Sequence, residues 1–138
     1  MGRRVGREKA LQALFGIEVG NSDKVIILNE ILSSEKLNDS LKQFTRDLVN
    51  GVLQNLETID GYIKKYSQDW EIERIGKVEL CALRIAIYEM LYMDEIPPIV
   101  SIDEALELIK YFSGDDSVKF VNGILDRVYK EIYKESRS

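Results

Sequence analysis

Four cations and one acid, Glu8, occupy the first ten residues, and the cations are Arg3, Arg4, Arg7 and Lys9. A guanidinium group binds phosphate oxygens through two parallel hydrogen bonds. Arg3 and Arg7 are four residues apart, so a helix places them on one face. The N-terminus of such a helix adds backbone N–H donors and a positive dipole end. The pattern predicts a phosphate-binding site, and a loose basic tail is the alternative that composition leaves open.

A second candidate for nucleic-acid contact lies at Lys119 and Phe120. A lysine beside an aromatic ring combines a phosphate contact with base stacking. Just before them, Asp116 and Ser117 carry groups that hydrogen-bond to base edges. The alternatives are a core role for Phe120 and helix caps for Asp116 and Ser117.

Glu79 stands in an otherwise apolar stretch, next to Val78 and Leu80. A carboxylate at the edge of an apolar strip can pair with a lysine or arginine of a protein partner. The alternative is an exposed residue on the one wet face of its helix.

The composition disfavours an enzyme. The 138 residues contain no histidine, which removes the usual general base, the Ser–His–Asp triad and the commonest metal ligand. No glycine-rich phosphate loop is present, and the single cysteine, Cys81, lies in an apolar run typical of a small buried side chain. We expect no catalytic residue, no cofactor and no metal site, and a reduced, cytoplasmic setting without a membrane segment.

The charge is unevenly distributed along the chain. The net charge of −5 is composed of +2 in residues 1–20, −1 in 21–67, −6 in 68–113 and 0 in 114–138. A basic head and an acidic middle suit a phosphate ligand and a separate basic partner. A solvated surface with uneven charge remains the alternative.

Apolar residues recur at helical spacing nearly throughout, so the fold class is predicted to be all-α. We expect a compact bundle of about seven helices in one domain, arranged as two packed subbundles, about 1–67 and 68–138, with a hinge at Ser67–Asp69. The predicted helices run from Arg3 or Arg4 to Val19, from a cap at Ser22 or Asp23 through Leu32, from Asn38 or Asp39 through Tyr66, from about Glu71 to Gly76, from Val78 to Tyr92, from a capping box at Ser101–Glu104 to Phe112, and onward from a cap at Asp115, Asp116 or Ser117.

Glycines inside the predicted helices indicate how those helices pack or bend. Gly51 and Gly61 allow either close helix approach or a kink, and each weakens its helix by about 1 kcal/mol relative to alanine. Asn122-Gly123 is typical of a hairpin in isolation, but helical periodicity continues on both sides. Gly123 is therefore expected to let another helix pack closely.

Four stretches together resemble the NusB family of transcription antitermination factors. They occur in the family's order and cover nearly the whole chain. In this sequence they are 3–15, Trp70 with 74–91, 94–105 and the Lys119–Asp126 motif KFVNGILD.

The resemblance implies an all-helical RNA-binding protein without catalytic activity. Its implied ligand is the boxA element of ribosomal RNA leader transcripts, bound together with the ribosomal protein NusE within the RNA polymerase antitermination complex. The RNA-contacting positions carried over are Arg3, Arg4, Arg7, Asp116, Lys119 and Phe120, and Ser117 lies among them. Glu79, with Ile75 and Val78 nearby, matches the NusE-facing helix, and Val5 stands where the family often has another arginine.

The rival hypothesis is a helical interaction module or homodimer that binds no specific RNA. The resemblance leaves a homodimer of the free protein open, and no residue decides it.

Overall fold

A computed structural model of the chain describes residues 2–20, 23–67 and 71–137. Within these residues it contains seven α-helices and two short 3₁₀ turns, and no strand. The helices are α1 (Gly2–Val19), α2 (Lys24–Leu32), α3 (Asp39–Gln54), α4 (Leu56–Tyr66), α5 (Lys77–Tyr92), α6 (Pro98–Phe112) and α7 (Val118–Arg137). The all-α prediction and the expected helix number are confirmed.

Helix caps fix several of the predicted boundaries. The side chain of Asp23 accepts a hydrogen bond from the Val25 N–H and begins α2. The side chain of Asn38 likewise accepts from the Leu41 N–H and begins α3. Each cap satisfies a backbone donor that has no partner within its helix, which is why these starts are readable from sequence.

The single long helix predicted through Tyr66 is wrong, because the chain breaks at Asn55. The backbone of Asn55 leaves helical geometry, with φ −117° and ψ 22°. Its side-chain amide donates to the Gly51 carbonyl at 2.8 Å. An asparagine side chain that bonds nearby carbonyls competes with helix continuation, so α3 ends and α4 begins at this residue.

Helix α5 is the centre of the molecule, as its all-round apolar pattern predicts. It packs against α1, α3, α4, α6 and α7. Cys81, Leu83 and Ile87 are fully buried in it. Gly51 of α3 lets the Tyr88 ring of α5 lie against the backbone, since a Cβ at Gly51 would be 2.2 Å from Tyr88 Cζ. Gly51 therefore allows α3 and α5 to approach each other closely.

Two expectations about local structure are corrected. Ser101 does not cap α6, because the helix already begins at Pro98, whose fixed φ and missing N–H suit a first helical position. In the described residues Gly123 admits no other helix, since the nearest atom to its Cβ position is Nη1 of Arg127, 3.7 Å away in the same helix. In the same part of the chain, nothing lies within 4 Å of a Cβ at Gly61.

The hinge assigned to Ser67–Asp69 and the Trp70 of the family motif fall largely outside the described residues, so the division at 67/68 stays a prediction. In the described part of the chain, no helix combines the length and hydropathy that a membrane span requires.

Candidate nucleic-acid interface

Arg3 and Arg4 lie exposed on the first turn of α1, which the structure shows as a packed helix and not as a loose tail. The guanidinium of Arg3 lies 4.9 Å from the centre of the Phe44 ring, within cation–π distance. Arg4 donates two hydrogen bonds to the carboxylate of Glu104 in α6, at 2.9 and 3.1 Å. The two arginines lie beside each other and are exposed to solvent, but among the described residues only Arg4 forms an ion pair with a carboxylate of the protein.

Arg7, the third predicted phosphate ligand, is buried and pairs inside the protein. Its Nε and one terminal nitrogen donate to the two carboxylate oxygens of Glu89 in α5, at 2.8 and 2.9 Å. The exposed fractions of Arg7 and Glu89 are 4% and 1%. Ser101 of α6 donates a third hydrogen bond to Glu89, at 2.7 Å. This cluster joins α1, α5 and α6, so Arg7 anchors the basic helix.

Phe44 of α3 completes the support for the first turns of α1. Both Arg3 and Arg7 lie within cation–π distance of its ring. A Cβ at Gly6 would come within 2.8 Å of the Phe44 ring, so a glycine is required where the ring meets the helix. Thr45 adds a hydrogen bond to the Gly6 carbonyl, at 3.4 Å.

A surface cleft of about 380 Å³ opens between the start of α1 and the start of α6. Arg3, Arg4 and Arg7 line it, together with Glu95 and Glu104. The hydrogen bond and charge of Arg4 lower the pKa of Glu104, and Glu104 in turn raises the pKa of Arg4. We call this region the arginine end. Its cations are close together but partly neutralised by carboxylates of the protein.

Glu79, the predicted partner contact, is buried with 8% of its surface exposed, so the wet-face alternative is wrong. The Ser113 hydroxyl donates a short hydrogen bond to its carboxylate. Burial alone would raise the pKa of Glu79, but hydrogen bonds from Ser113 and Ser117 lower it below its usual value. The carboxylate is thus held ionised at the junction of α5, α6 and α7.

A second cleft of about 370 Å³ brings the predicted partner and RNA residues together. Ile75 and Glu79 line it from one side, and the other side is lined by Asp116 and Ser117, just before α7, and by Phe120 in its first turn. We call this region the phenylalanine end.

The two remaining predicted residues lie beside this cleft. Val78 is half-buried and packs on the core. Lys119 is exposed and lines a neighbouring cleft on the other flank of Phe120.

The two ends lie at opposite ends of the α5–α6 hairpin. Glu89 and Glu79 are ten residues apart in α5, which corresponds to about 15 Å along a helix. Ser101 of the antiparallel α6 and Ser113, just after its end, donate hydrogen bonds to these two carboxylates. A rigid helical pair therefore fixes the spacing between the arginine end and the phenylalanine end.

Sequence reasoning missed the carboxylates and the ring that support the arginines. Glu89 and Phe44 were not singled out, and Ser101 and Glu104 were assigned to a capping box instead of to these contacts. A charged residue inside the apolar stretch of α5 was a usable signal, because a buried carboxylate requires a partner. The partner's identity was not readable, since Arg7 is 82 residues away.

Comparison with known proteins gives the same assignment over nearly the whole chain. The model of the NusB family matches residues 4–130. The transcription antitermination protein NusB of Acetivibrio thermocellus is 44% identical over 130 residues, covering 94% of this chain and 90% of that protein.

The chain belongs to the NusB family.

Solved structures of NusB proteins share the fold. NusB of T. maritima superposes with a TM-score of 0.85 at 38% identity, covering 96% of each chain. A crystal structure of the antitermination factors NusB and NusE in complex with dsRNA gives a TM-score of 0.86 at 25% identity, covering 94% of this chain and 97% of that one.

Proposed function

We propose that this chain is a non-enzymatic transcription antitermination factor that binds RNA together with the ribosomal protein NusE. The RNA is the boxA element of ribosomal RNA leader transcripts. The protein acts in the cytoplasm, within the antitermination complex of RNA polymerase. Membership of the NusB family supports the general role, and the solved NusB–NusE–dsRNA complex supports both binding partners.

The observation that carries the RNA site is the anchoring of the first turn of α1. Buried Arg7 bonds Glu89, so Arg3 and Arg4 project from a helix that cannot swing away. Phosphate contacts from preordered guanidinium groups lose less conformational entropy than contacts from a tail. In this proposal Arg3 and Arg4 contact the RNA backbone, and Arg7 positions them.

In this proposal the phenylalanine end reads the RNA bases and binds the protein partner. Phe120 offers a ring for stacking, and Asp116 and Ser117 offer hydrogen-bonding groups beside it. Ile75 and Glu79 line the same cleft, and we expect NusE to bind there beside the RNA. Lys119 adds a phosphate contact.

The test is RNA binding by the double variant Arg3→Glu with Arg4→Glu. Fluorescence anisotropy would compare a boxA RNA with a scrambled RNA, with and without NusE. We expect affinity for boxA RNA to fall by about tenfold or more. The slope of log affinity against log salt should decrease by about 1.4, since each lost single-strand phosphate contact contributes about 0.7.

Lys24→Glu with Lys36→Glu is the matched control. Both lysines are exposed, on α2 and in the loop after it, and the change in net charge is the same. Unchanged RNA affinity in the arginine variant would overturn the site. Equal affinity of wild type for scrambled RNA would overturn sequence selectivity. A homodimer in light scattering that responds to neither RNA nor NusE would favour an interaction module.

A further inference from the structure

A third cleft, of about 190 Å³, borders Phe120 on the side of α4. Tyr66 at the end of α4 forms one wall, and Lys119, Gly123 and Arg127 of α7 line the other. Small-molecule sites usually measure about 300 Å³ or more, so this cleft does not enclose a cofactor. An open groove of this size suits part of a longer chain that lies across it.

Lys119, Gly123 and Arg127 are spaced four residues apart and so share one face of α7. The two cations are separated by about 12 Å along the helix, and both side chains are exposed. Among the described residues neither forms an ion pair. By contrast Lys130, on another face of the same helix, pairs with Asp126 at 3.0 Å.

Within residues 2–20, 23–67 and 71–137, Arg127 forms one hydrogen bond, from Nη1 to the Tyr66 carbonyl at 3.5 Å, the outer limit for such a bond. In this part of the chain most of its guanidinium donors are therefore available to a ligand. The acid one turn further on, Glu131, accepts hydrogen bonds from Lys65 and the Tyr66 hydroxyl of α4. The Glu131 carboxylate is thus bound to α4, and the edge of the groove keeps the positive charges of Lys119 and Arg127.

Gly123 lies between the two cations. A glycine inside a helix weakens it relative to alanine, yet among the described residues the atom that approaches its Cβ position is Nη1 of Arg127, 3.7 Å away, and no other helix does so. The missing side chain leaves room on this face of α7 for the Arg127 guanidinium and for a chain that lies beside it. Glycine is a usual residue where a backbone approaches a ligand closely, so its position between two exposed cations suits a binding groove.

We propose that Lys119, Gly123 and Arg127 form a phosphate-binding groove that extends the RNA site past Phe120. Arg127 binds a phosphodiester through its two-pronged guanidinium, Lys119 binds a neighbouring phosphate, and the strand passes over Gly123 between them. This inference rests on the proposed function and adds Arg127 and Gly123 to the RNA contacts.

The experiment measures boxA RNA affinity and thermal unfolding of the full chain for four variants. Arg127→Ala should weaken binding severalfold and reduce the salt slope by about 0.7. Arg127→Lys should bind RNA between that variant and wild type, since it keeps the charge but not the bidentate geometry. Lys130→Ala, on another face of α7, is the control and should bind like wild type.

Gly123→Ala separates a binding role from a structural one. Alanine favours the helix and meets no neighbouring helix, so the melting temperature should rise. RNA affinity should fall, because the methyl group narrows the groove. A gain in stability with unchanged RNA affinity would overturn the groove.

The outcomes also distinguish this inference from the proposed function. If the Arg3 and Arg4 double variant loses RNA binding while Arg127→Ala and Gly123→Ala behave like the control, only the groove is wrong. If wild type binds no RNA, the proposed function fails as well. If Arg127→Ala weakens NusE binding without RNA but leaves RNA affinity intact, the face belongs to a protein partner and the inference is overturned.

Discussion

The arginine end and the phenylalanine end use charge in opposite ways. At the arginine end, two of the three arginines are bonded to carboxylates of the protein, Glu89 and Glu104. At the phenylalanine end, the buried charge is the carboxylate of Glu79, and hydroxyl groups satisfy it in place of a cation. The comparison teaches that a count of arginines overstates the cations available to a ligand. Burial and pairing decide which charge anchors the fold and which charge binds.

The largest loss of stability is expected from Glu89→Ala at the arginine end. The substitution leaves Arg7 buried without its carboxylate. Loss of one partner of a buried ion pair typically destabilises a protein by about 3–5 kcal/mol. Urea unfolding followed by circular dichroism should show this loss, and RNA affinity should fall because α1 is no longer held.

The control is Glu107→Ala, an acid on the exposed side of α6, which should change stability by about 0.5 kcal/mol or less. A destabilisation below about 1 kcal/mol in Glu89→Ala would show that Arg7 does not depend on its partner. The double variant Arg7→Met with Glu89→Leu refines the test. Its stability should recover much of the loss, since an apolar pair can replace a buried ion pair.

An intermediate effect is expected from Glu79→Gln at the phenylalanine end. The hydrogen bonds from Ser113 and Ser117 are stronger to a carboxylate than to a neutral amide. We expect a loss of about 1 kcal/mol at neutral pH.

The stability difference between wild type and Glu79→Gln should depend on pH. The pKa of Glu79 is lower in the folded protein than its usual 4.5, so its stabilisation is present above that pH and is lost as the pH falls through the folded pKa. Below pH 4.5 the free energy of unfolding should fall more steeply for wild type than for Glu79→Gln. Parallel pH profiles for the two proteins would contradict the assignment.

The smallest effect on stability is expected from Glu104→Gln, which tests the ion pair of the exposed Arg4. Arg4 is 54% exposed, so its ion pair is well screened by solvent and adds little to stability. RNA affinity, however, should rise severalfold, because Arg4 no longer has to exchange a carboxylate for a phosphate. Anisotropy with boxA RNA measures the gain, and weaker binding by this variant would show that the pair presents Arg4 rather than competes for it.

The sequence by itself determined the helical fold class and most helix boundaries. Apolar spacing identifies the buried face of each helix, and the caps at Asp23 and Asn38 act within three residues, so both signals are local. The central position of α5 was also readable, because a stretch apolar on all sides has to be covered by other helices. The clustering of arginines at the start of α1 was visible in the same way.

Only the tertiary structure decided which of these arginines is buried. Arg7 meets Glu89, and Arg4 meets Glu104, across 82 and 100 residues of chain. It also decided that Ser101 bonds a carboxylate of α5 instead of capping α6, and that Gly123 lines a surface cleft instead of a helix contact. The physical reason is the same in each case. Periodicity and caps are set by neighbours in sequence, whereas the partner of a charge and the space around a glycine are set by helices that meet only after folding.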